Sequence, residues 1–281
     1  LTQIRDWRLF CTLWVGLGFT SSVLKIYRIF DKRNSMKAKG TPSTWVIPCY
    51  NEANRFPYDR YVAFLQSRPT AQLLFVDDGS KDGTAQRIEQ LKEQFPHAVS
   101  LIVLSQNMGK AEAVRQGILQ ALENPQTERL GYVDADLSTS LEEACSLEKK
   151  LSQNSQFIFG SRILKLDNTI ERKWHRFVIG RLVATAISGV LGIEVYDTQC
   201  GCKVMSRAWA VTAFEKPFIS RWLFDVELFF RLMQQYGKKT FLQQSHEIPL
   251  QQWIDTAESR VSWSYGLKLW WDLFYIWKTY R

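Results

Sequence analysis

The sequence predicts an α/β protein built on a mostly parallel sheet with flanking helices. Two observations carry this: short apolar runs alternate with helical patterns from Thr44 onward, and each run opens into a polar loop. Trp45-Val46-Ile47-Pro48, Leu73–Val76, Leu101–Leu104, Leu130–Val133 and Phe157–Phe159 read as strands buried on both faces. Between them, Ala85, Ile88 and Leu91 share one helical face, as do Ala111, Val114, Ile118 and Leu122. Asp82-Gly83-Thr84 supplies a turn and cap before the first helix, and Gly109 a turn before the second. Ligands of such sheets bind beyond the carboxyl ends of the strands, so the loops there carry the candidate chemistry.

Bulk properties narrow the partners. A chain of 281 residues, 46% hydrophobic, can bury a full core. Its net charge of +8 favours anionic partners such as nucleotides or phospholipid surfaces. Eleven Trp and ten Tyr tilt this towards a membrane interface and away from nucleic acid. The five Cys form no C-x-x-C, and the three His are far apart, which argues against a zinc site or disulfide framework and for a reducing compartment. Cys200 and Cys202 are read as packing residues.

Both ends of the chain suggest a membrane. Leu9 to Leu24 is uncharged, with Arg5 and Arg8 before it and a larger basic excess after it. A spanning helix needs about 20 apolar residues, so this segment can just span, with a surface-lying helix as the alternative. The basic excess would leave the rest of the chain on the cytoplasmic side. Near the other end, Trp263, Leu267, Trp270, Trp271, Phe274 and Trp277 follow one helical stripe. That stripe suits a helix lying in the headgroup layer, or one docked on the protein's own core. Residues 172–191 are also amphipathic, through Phe177, Ile179, Leu182 and Val183, and could cover an acceptor site.

The strand-end loops supply the candidate site. Asp134 and Asp136, a D-x-D after Leu130–Val133, place two carboxylates where a strand opens. Such a pair is costly without a cation, and hard oxygen ligands favour Mg²⁺ or Mn²⁺ held together with substrate phosphates. In Pro48-Cys49-Tyr50-Asn51-Glu52, Tyr50 could stack on a base and Glu52 could accept from a base or ribose. Asp77 and Asp78 could receive ribose hydroxyls, or could simply cap a turn. Lys110 opens a helix whose N-terminal N–H groups favour anions. The spacing is not that of a P-loop.

These loops, in this order, resemble the inverting glycosyltransferases of family 2, and more closely their polyprenyl-phosphate sugar transferase group. The matching stretches are V-I-P-C-Y-N-E (46–52), V-D-D-G-S-K-D-G-T (76–84), N-M-G-K-A-E-A-V-R-Q-G (107–117), V-D-A-D-L (133–137), G-S-R (160–162), D-T-Q-C-G-C-K (197–203) and R-W-L-F-D-V-E (221–227). The last two look more like the glucosyl than the mannosyl branch. Cys202 stands where that branch usually has Phe, and Ser138 where mannose synthases usually have Gln.

The resemblance implies a GT-A fold over 44–255, with a nucleotide-sugar half (44–165) and an acceptor half (166–255). Residues 1–30 would be a membrane anchor, 31–43 a basic linker and 256–281 an interfacial helix. It implies that Pro48, Tyr50, Glu52, Asp77, Asp78, Lys110 and Asp134 hold the nucleotide sugar. Asp134 and Asp136 would hold Mg²⁺ or Mn²⁺, and Asp136, Arg162, Asp225 and Glu227 would serve catalysis. Arg162, Arg172, Arg176, Arg181, Gln199, Lys203 and Arg221 would face the acceptor phosphate. The implied donor is UDP-glucose, with GDP-mannose second, and the acceptor a polyprenyl phosphate at a membrane surface. The alternative is a family 2 enzyme with a non-lipid glycan acceptor. A sugar-nucleotide synthase is disfavoured because P-C-Y-N-E replaces a Gly-rich first loop.

Overall fold

Alternate residues of the central strands enter opposite cores. In β1 (Ser43–Cys49), Val46 faces one core while Trp45, Ile47 and Cys49 face the other. After α1 (Tyr58–Ser67), β2 (Gln72–Asp77) repeats the division, with Leu74 and Val76 opposite Leu73 and Phe75. The chain continues through α2 (Thr84–Gln94), β3 (Val99–Val103), α3 (Lys110–Glu123), β4 (Arg129–Val133), α4 (Leu141–Glu148) and β5 (Phe157–Ser161). Then come β6 (Thr169–Glu171), α5 (Trp174–Leu191), β7 (Cys202–Ser206), α6 (Arg207–Phe214), α7 (Phe224–Tyr236) and α8 (Lys238–Gln244). The last elements are β8 (Ser245–Pro249), β9 (Gln252–Ile254) and α9 (Tyr265–Tyr280). This computed structural model describes residues 43–171, 174–254 and 265–281. The expected anchor at 1–30, Arg172 and Trp263 lie outside them, as does the expected linker apart from Ser43.

The main sheet has the order β3-β2-β1-β4-β7-β5-β8. All neighbours are parallel except β7, which runs against both β4 and β5. A parallel pair, β6 and β9, forms a second small sheet. Helices α1, α2 and α4 cover one face of the main sheet, and α3, α6 and α7 the other. Phe157 of β5 meets Phe229 of α7 edge-on at 5.5 Å and lies 6.3 Å from Phe241 of α8. Fully burying a side chain of this kind contributes roughly 1.5–3 kcal/mol. The predicted helical faces are present: Ile88 and Leu91 are buried in α2, and Ala111, Val114 and Ile118 in α3.

Two helices leave part of the apolar residues singled out in the sequence exposed and pack through others. In α5, Ile179 and Leu182 are exposed, and the helix packs instead through Ile187 and Leu191, flanked by Val183, Ala186 and Val190. In α9, Leu273 and Ile276 point inward, with Leu269 and Tyr280 beside them, and the helix lies against α7 and α5. Asp272, off the aromatic stripe, is buried and accepts a hydrogen bond from Ser220 Oγ at 2.7 Å. Trp270, Trp271 and Phe274 of the aromatic stripe face outward, Trp271 at 67% exposure. Among the described residues, no helix is long and apolar enough to cross a membrane.

Candidate active site

Strand direction decides which loops meet. The carboxyl ends of β1, β2, β4 and β5 lie along one edge of the sheet, and the reversed β7 brings its amino end to the same edge. The registers Cys49↔Asp77 and Val133↔Cys202 set these ends side by side. Loops 48–52, 77–82, 134–138 and 197–201 are therefore neighbours.

The first two loops are tied by backbone-to-side-chain bonds. Asn51 N donates to Ser80 Oγ at 2.8 Å, Glu52 N to Thr84 Oγ1 at 2.7 Å, and Lys81 N to Asn51 Oδ1 at 2.9 Å. Asn51 adopts φ +49°, a left-handed conformation that Asn tolerates better than most residues. The buried Glu52 pairs with Arg55, whose Nη2 donates to Oε1 at 2.7 Å. Pro48 and Tyr50 are half-buried beside it.

Asp77 and Asp78 are both buried. Asp77 accepts from Ser80 Oγ. Asp78 accepts from Met108 N at 2.7 Å, Gly109 N at 2.8 Å and Asn107 Nδ2 at 2.9 Å. Burial pushes both carboxyls above the usual range, and these hydrogen bonds pull part of the way back. Asp78 thus fixes the turn into α3 and with it Lys110. Gly109 sits at φ +96°, and a Cβ there would come within 2.9 Å of the Arg221 side chain lying across it.

Lys110 Nζ reaches Asp134 Oδ1 at 2.5 Å. Burial would lower the pKa of this lysine, but the charges of Asp134 and Asp225 raise it further, leaving it above the ordinary value. Asp136 Oδ1 accepts from Ser138 N at 2.9 Å, so Ser138 supports the loop through its backbone. Tyr61, fully buried under the same loop, donates to Ala135 O at 2.9 Å. Asp134 N donates to Gly201 O at 3.2 Å, and the carboxylate of Asp134 lies directly on the Cα of Gly201.

Arg162 stands a short way along the same edge. Its Nε and Nη2 donate to the two oxygens of Asp197 at 2.7 and 2.8 Å, and its backbone N donates to Oδ2 at 3.1 Å. Burial would raise the Asp197 pKa, but the Arg162 charge and hydrogen bonds outweigh it and hold the carboxyl at about 2. The Trp253 ring lies 5.4 Å from the guanidinium, and Glu247 accepts from the backbone N of Tyr196 and Asp197. Arg181 of α5 stacks 3.7 Å from the Tyr196 ring and donates to its carbonyl at 2.7 Å. Nε2 of Gln199 is buried without a hydrogen-bond partner beside this ion pair. Arg176 falls within α5, and its side chain lies outside the described part of the structure.

Two expected contact residues lie elsewhere. Lys203, assigned to the acceptor phosphate, is fully buried and bonds to Asp225 and to Cys200 O. Its place in β7 opposite Tyr132 turns it into the core. Glu227, assigned to catalysis, is also fully buried. It accepts from Ile219 N at 2.8 Å, Arg231 Nη2 at 2.7 Å and Tyr280 Oη at 2.7 Å, bracing α7 against α9. Asp225, two residues before it and 4% exposed, accepts from Tyr132 Oη and pairs with Lys203 at 2.6 Å. Sequence reasoning gave no role to Tyr61, Tyr132, Asp197 or Gly201. Asp197 and Gly201 lie within the D-T-Q-C-G stretch, which was the available signal.

The donor set bears on a cation. Asp134 and Asp136 offer hard carboxylate oxygens, which fit Mg²⁺ or Mn²⁺. Among the described residues, no group of three or more His, Cys, Asp and Glu side chains is placed to hold a metal. The set therefore fits a cation completed by substrate phosphate oxygens and water.

The chain belongs to glycosyl transferase family 2, whose model matches residues 44–212, and this makes it a sugar-transferring enzyme with its acids at the strand ends. A dolichyl-phosphate beta-glucosyltransferase of Trichomonas vaginalis is 31% identical over 252 residues, covering 83% of this chain and 70% of that one. The dolichyl-phosphate beta-glucosyltransferase of Homo sapiens is 31% identical over 236 residues, covering 73% and 71%. Among solved structures, glucosyl-3-phosphoglycerate synthase from Mycobacterium tuberculosis, with Mn²⁺, UDP-glucose and phosphoglyceric acid, matches with a TM-score of 0.60 at 16% identity. That match covers 85% of this chain and 80% of the other. Mannosyl-3-phosphoglycerate synthase from Rubrobacter xylanophilus matches with a TM-score of 0.61 at 15% identity, covering 86% and 74%. These likenesses show the fold, which is GT-A-like.

Proposed function

We propose that the chain transfers glucose from UDP-glucose to a dolichyl or related polyprenyl phosphate, with inversion at the sugar. The observation that carries this is two clusters of charged and polar side chains on one edge of the sheet, each suited to an anion. Lys110 with Asp134 and Asp136 forms one, and Arg162 with Arg181 and Gln199 the other, with loop 197–201 reaching both. The names of the relatives supply the sugar and the lipid phosphate.

The first cluster would receive the nucleotide diphosphate, with Tyr50, Glu52 and Asp77 towards the nucleoside. A divalent cation held by Asp134 and Asp136 would supply charge stabilisation to the departing diphosphate. Lys110, fixed by Asp78, adds a positive charge next to it. The second cluster would hold the acceptor phosphate, with the exposed Arg221 near the first. A phosphate monoester has a second pKa of about 6, so its oxygen is already charged near neutral pH and needs no strong base. That suits a site richer in Arg and Lys than in His. Asp225 pairs with Lys203, and its negative charge also acts on Lys110.

The same reading puts the enzyme on a membrane. The outward Trp270, Trp271 and Phe274, with Lys268 and Lys278 on the same helix, suit the headgroup layer of a bilayer. The N-terminal apolar segment would anchor the chain, with the catalytic region (44–255) on the cytoplasmic side. Its 44–165 half would serve the donor and its 166–255 half the acceptor.

The test offers labelled UDP-glucose and GDP-mannose separately to purified protein with Mn²⁺ or Mg²⁺ and a short polyprenyl phosphate. Chelator-sensitive label in the organic phase from UDP-glucose is the expected result. Label from GDP-mannose alone would replace the sugar, and nucleotide release without lipid-linked label would replace the acceptor.

A further inference from the structure

We propose that Lys203 is a positioning residue that sets the orientation of Asp134 from beneath the site. The inference rests on the reading of Asp134 as a holder of the cation and diphosphate. Lys203 is 0% exposed, among the largest fully buried side chains of the described residues. Its ammonium makes two bonds of 2.6 Å, one to Asp225 Oδ1 and one to Cys200 O, and lies 5.3 Å from the Tyr132 ring centre.

The bond to Cys200 O matters because the Cys200–Gly201 peptide leads to the Gly201 Cα on which the Asp134 carboxylate rests. The Gly201 carbonyl also accepts the Asp134 N–H at 3.2 Å. A displacement of the Cys200 carbonyl therefore shifts the Gly201 Cα bonded through the same peptide, which lies under the carboxylate, and through that Cα the next peptide, whose Gly201 carbonyl accepts from Asp134. The side chains around Lys203 give packing alone no use for a charge: Cys202 and Val204 flank it, and Phe159 and Tyr132 pair with it across the sheet. Desolvating an ammonium is expensive, and a well-packed apolar residue is often as stable or more so. What the charge holds in place is the Cys200 carbonyl on one side and Asp225 on the other.

The experiment measures Mn²⁺ binding by electron paramagnetic resonance, with and without UDP. It uses the full chain and its Lys203→Met, Asp225→Asn and Lys203→Met/Asp225→Asn variants, with melting temperatures for all four. Lys203→Met is expected to weaken UDP-dependent Mn²⁺ binding about tenfold, as loss of an outer-sphere support does. UDP binding without metal should change less than about twofold, since that support acts on the metal ligand. The double variant, which leaves no unpaired buried charge, covers the case in which Lys203→Met does not fold. It should melt near the wild type yet bind Mn²⁺ about tenfold more weakly than Asp225→Asn. If Mn²⁺ affinity instead follows melting temperature, or the double variant matches Asp225→Asn, Lys203 is only structural and the proposal is overturned. Wild-type protein that binds UDP but gains no Mn²⁺ affinity from it would remove the cation reading and this proposal together.

Discussion

Gly201 and Asp134 share a space that admits only one side chain. A Cβ on Gly201 would overlap Oδ2 and Cγ of Asp134 and stand 2.7 Å from Oδ1. The carboxylate at the end of β4 is thus aimed by a glycine from the amino end of β7. Gly201→Ala should therefore turn Asp134 away and lower kcat about 100-fold, the scale expected for a misplacement near 1 Å. Steady-state kinetics check this, with circular dichroism to confirm folding. Retained turnover in a folded variant would show that the aim of Asp134 does not matter.

Asp136→Ala should reduce transfer by about 10²–10³-fold, the range for losing one stabiliser of transition-state charge. Tyr61 supports this loop through Ala135 O independently of Asp136, and the Ser138 N–H bond to the carboxylate is lost, so the melting temperature should fall only slightly, in keeping with about 1 kcal/mol for one hydrogen bond. Near-normal turnover in this variant would remove Asp136 from the cation site.

Arg162 meets Asp197 through two parallel bonds that a lysine cannot reproduce. Arg162→Lys should raise the KM for lipid phosphate about tenfold, or about 1.4 kcal/mol, with little change in the KM for UDP-glucose. An equal rise for both substrates would place Arg162 at neither cluster in particular.

The same pair makes stability depend on acid. The Asp197 carboxyl titrates at about 2 in the fold, below its ordinary value of 3.8. A depressed carboxylate contributes stability above its unfolded pKa and loses it as pH falls towards the folded one. The pair should therefore contribute about 2 kcal/mol above pH 4 that fades between about pH 4 and pH 2. Denaturant unfolding of wild type and Asp197→Asn across that range measures it. Parallel pH curves for the two proteins would contradict the assignment.

The two faces of α9 should respond differently to substitution. Leu273→Ala, in the core, should cost about 2–5 kcal/mol. Trp270→Ser with Trp271→Ser, on the exposed face, should change stability by only about 0.5 kcal/mol while lowering co-sedimentation with anionic vesicles. Unchanged vesicle binding would leave the aromatic face without the proposed lipid partner.

Local patterns made much of this legible beforehand. The runs ending at Pro48, Val76 and Val133 announce strands, and their loops carry Asp77, Asp134 and Asp136 to one edge because parallel strands share a direction. What the pattern did not carry was long-range pairing. Nothing near Cys202 announces a strand running against its neighbours, so Lys203 read as a surface cation when it is a core one. Glu227 misled for a similar reason: its partners, Arg231 and Tyr280, include one from a distant helix. In α9 the aromatic stripe was visible, but the inward face was set by Asp272 meeting Ser220, which periodicity alone does not reveal.

The reversal of β7 also bears on the order in which the chain folds. Asp134 ends a strand whose other neighbour, β1, can pair with it early, whereas Gly201 arrives only after the long stretch between the two residues has closed. Pairings of such separation form slowly, because loop closure must precede the contacts that reward it. The nucleotide half can thus be well structured before its acid is aimed. Competence to bind donor and cation together would be among the last properties a refolding chain acquires, later than the bulk of its secondary structure.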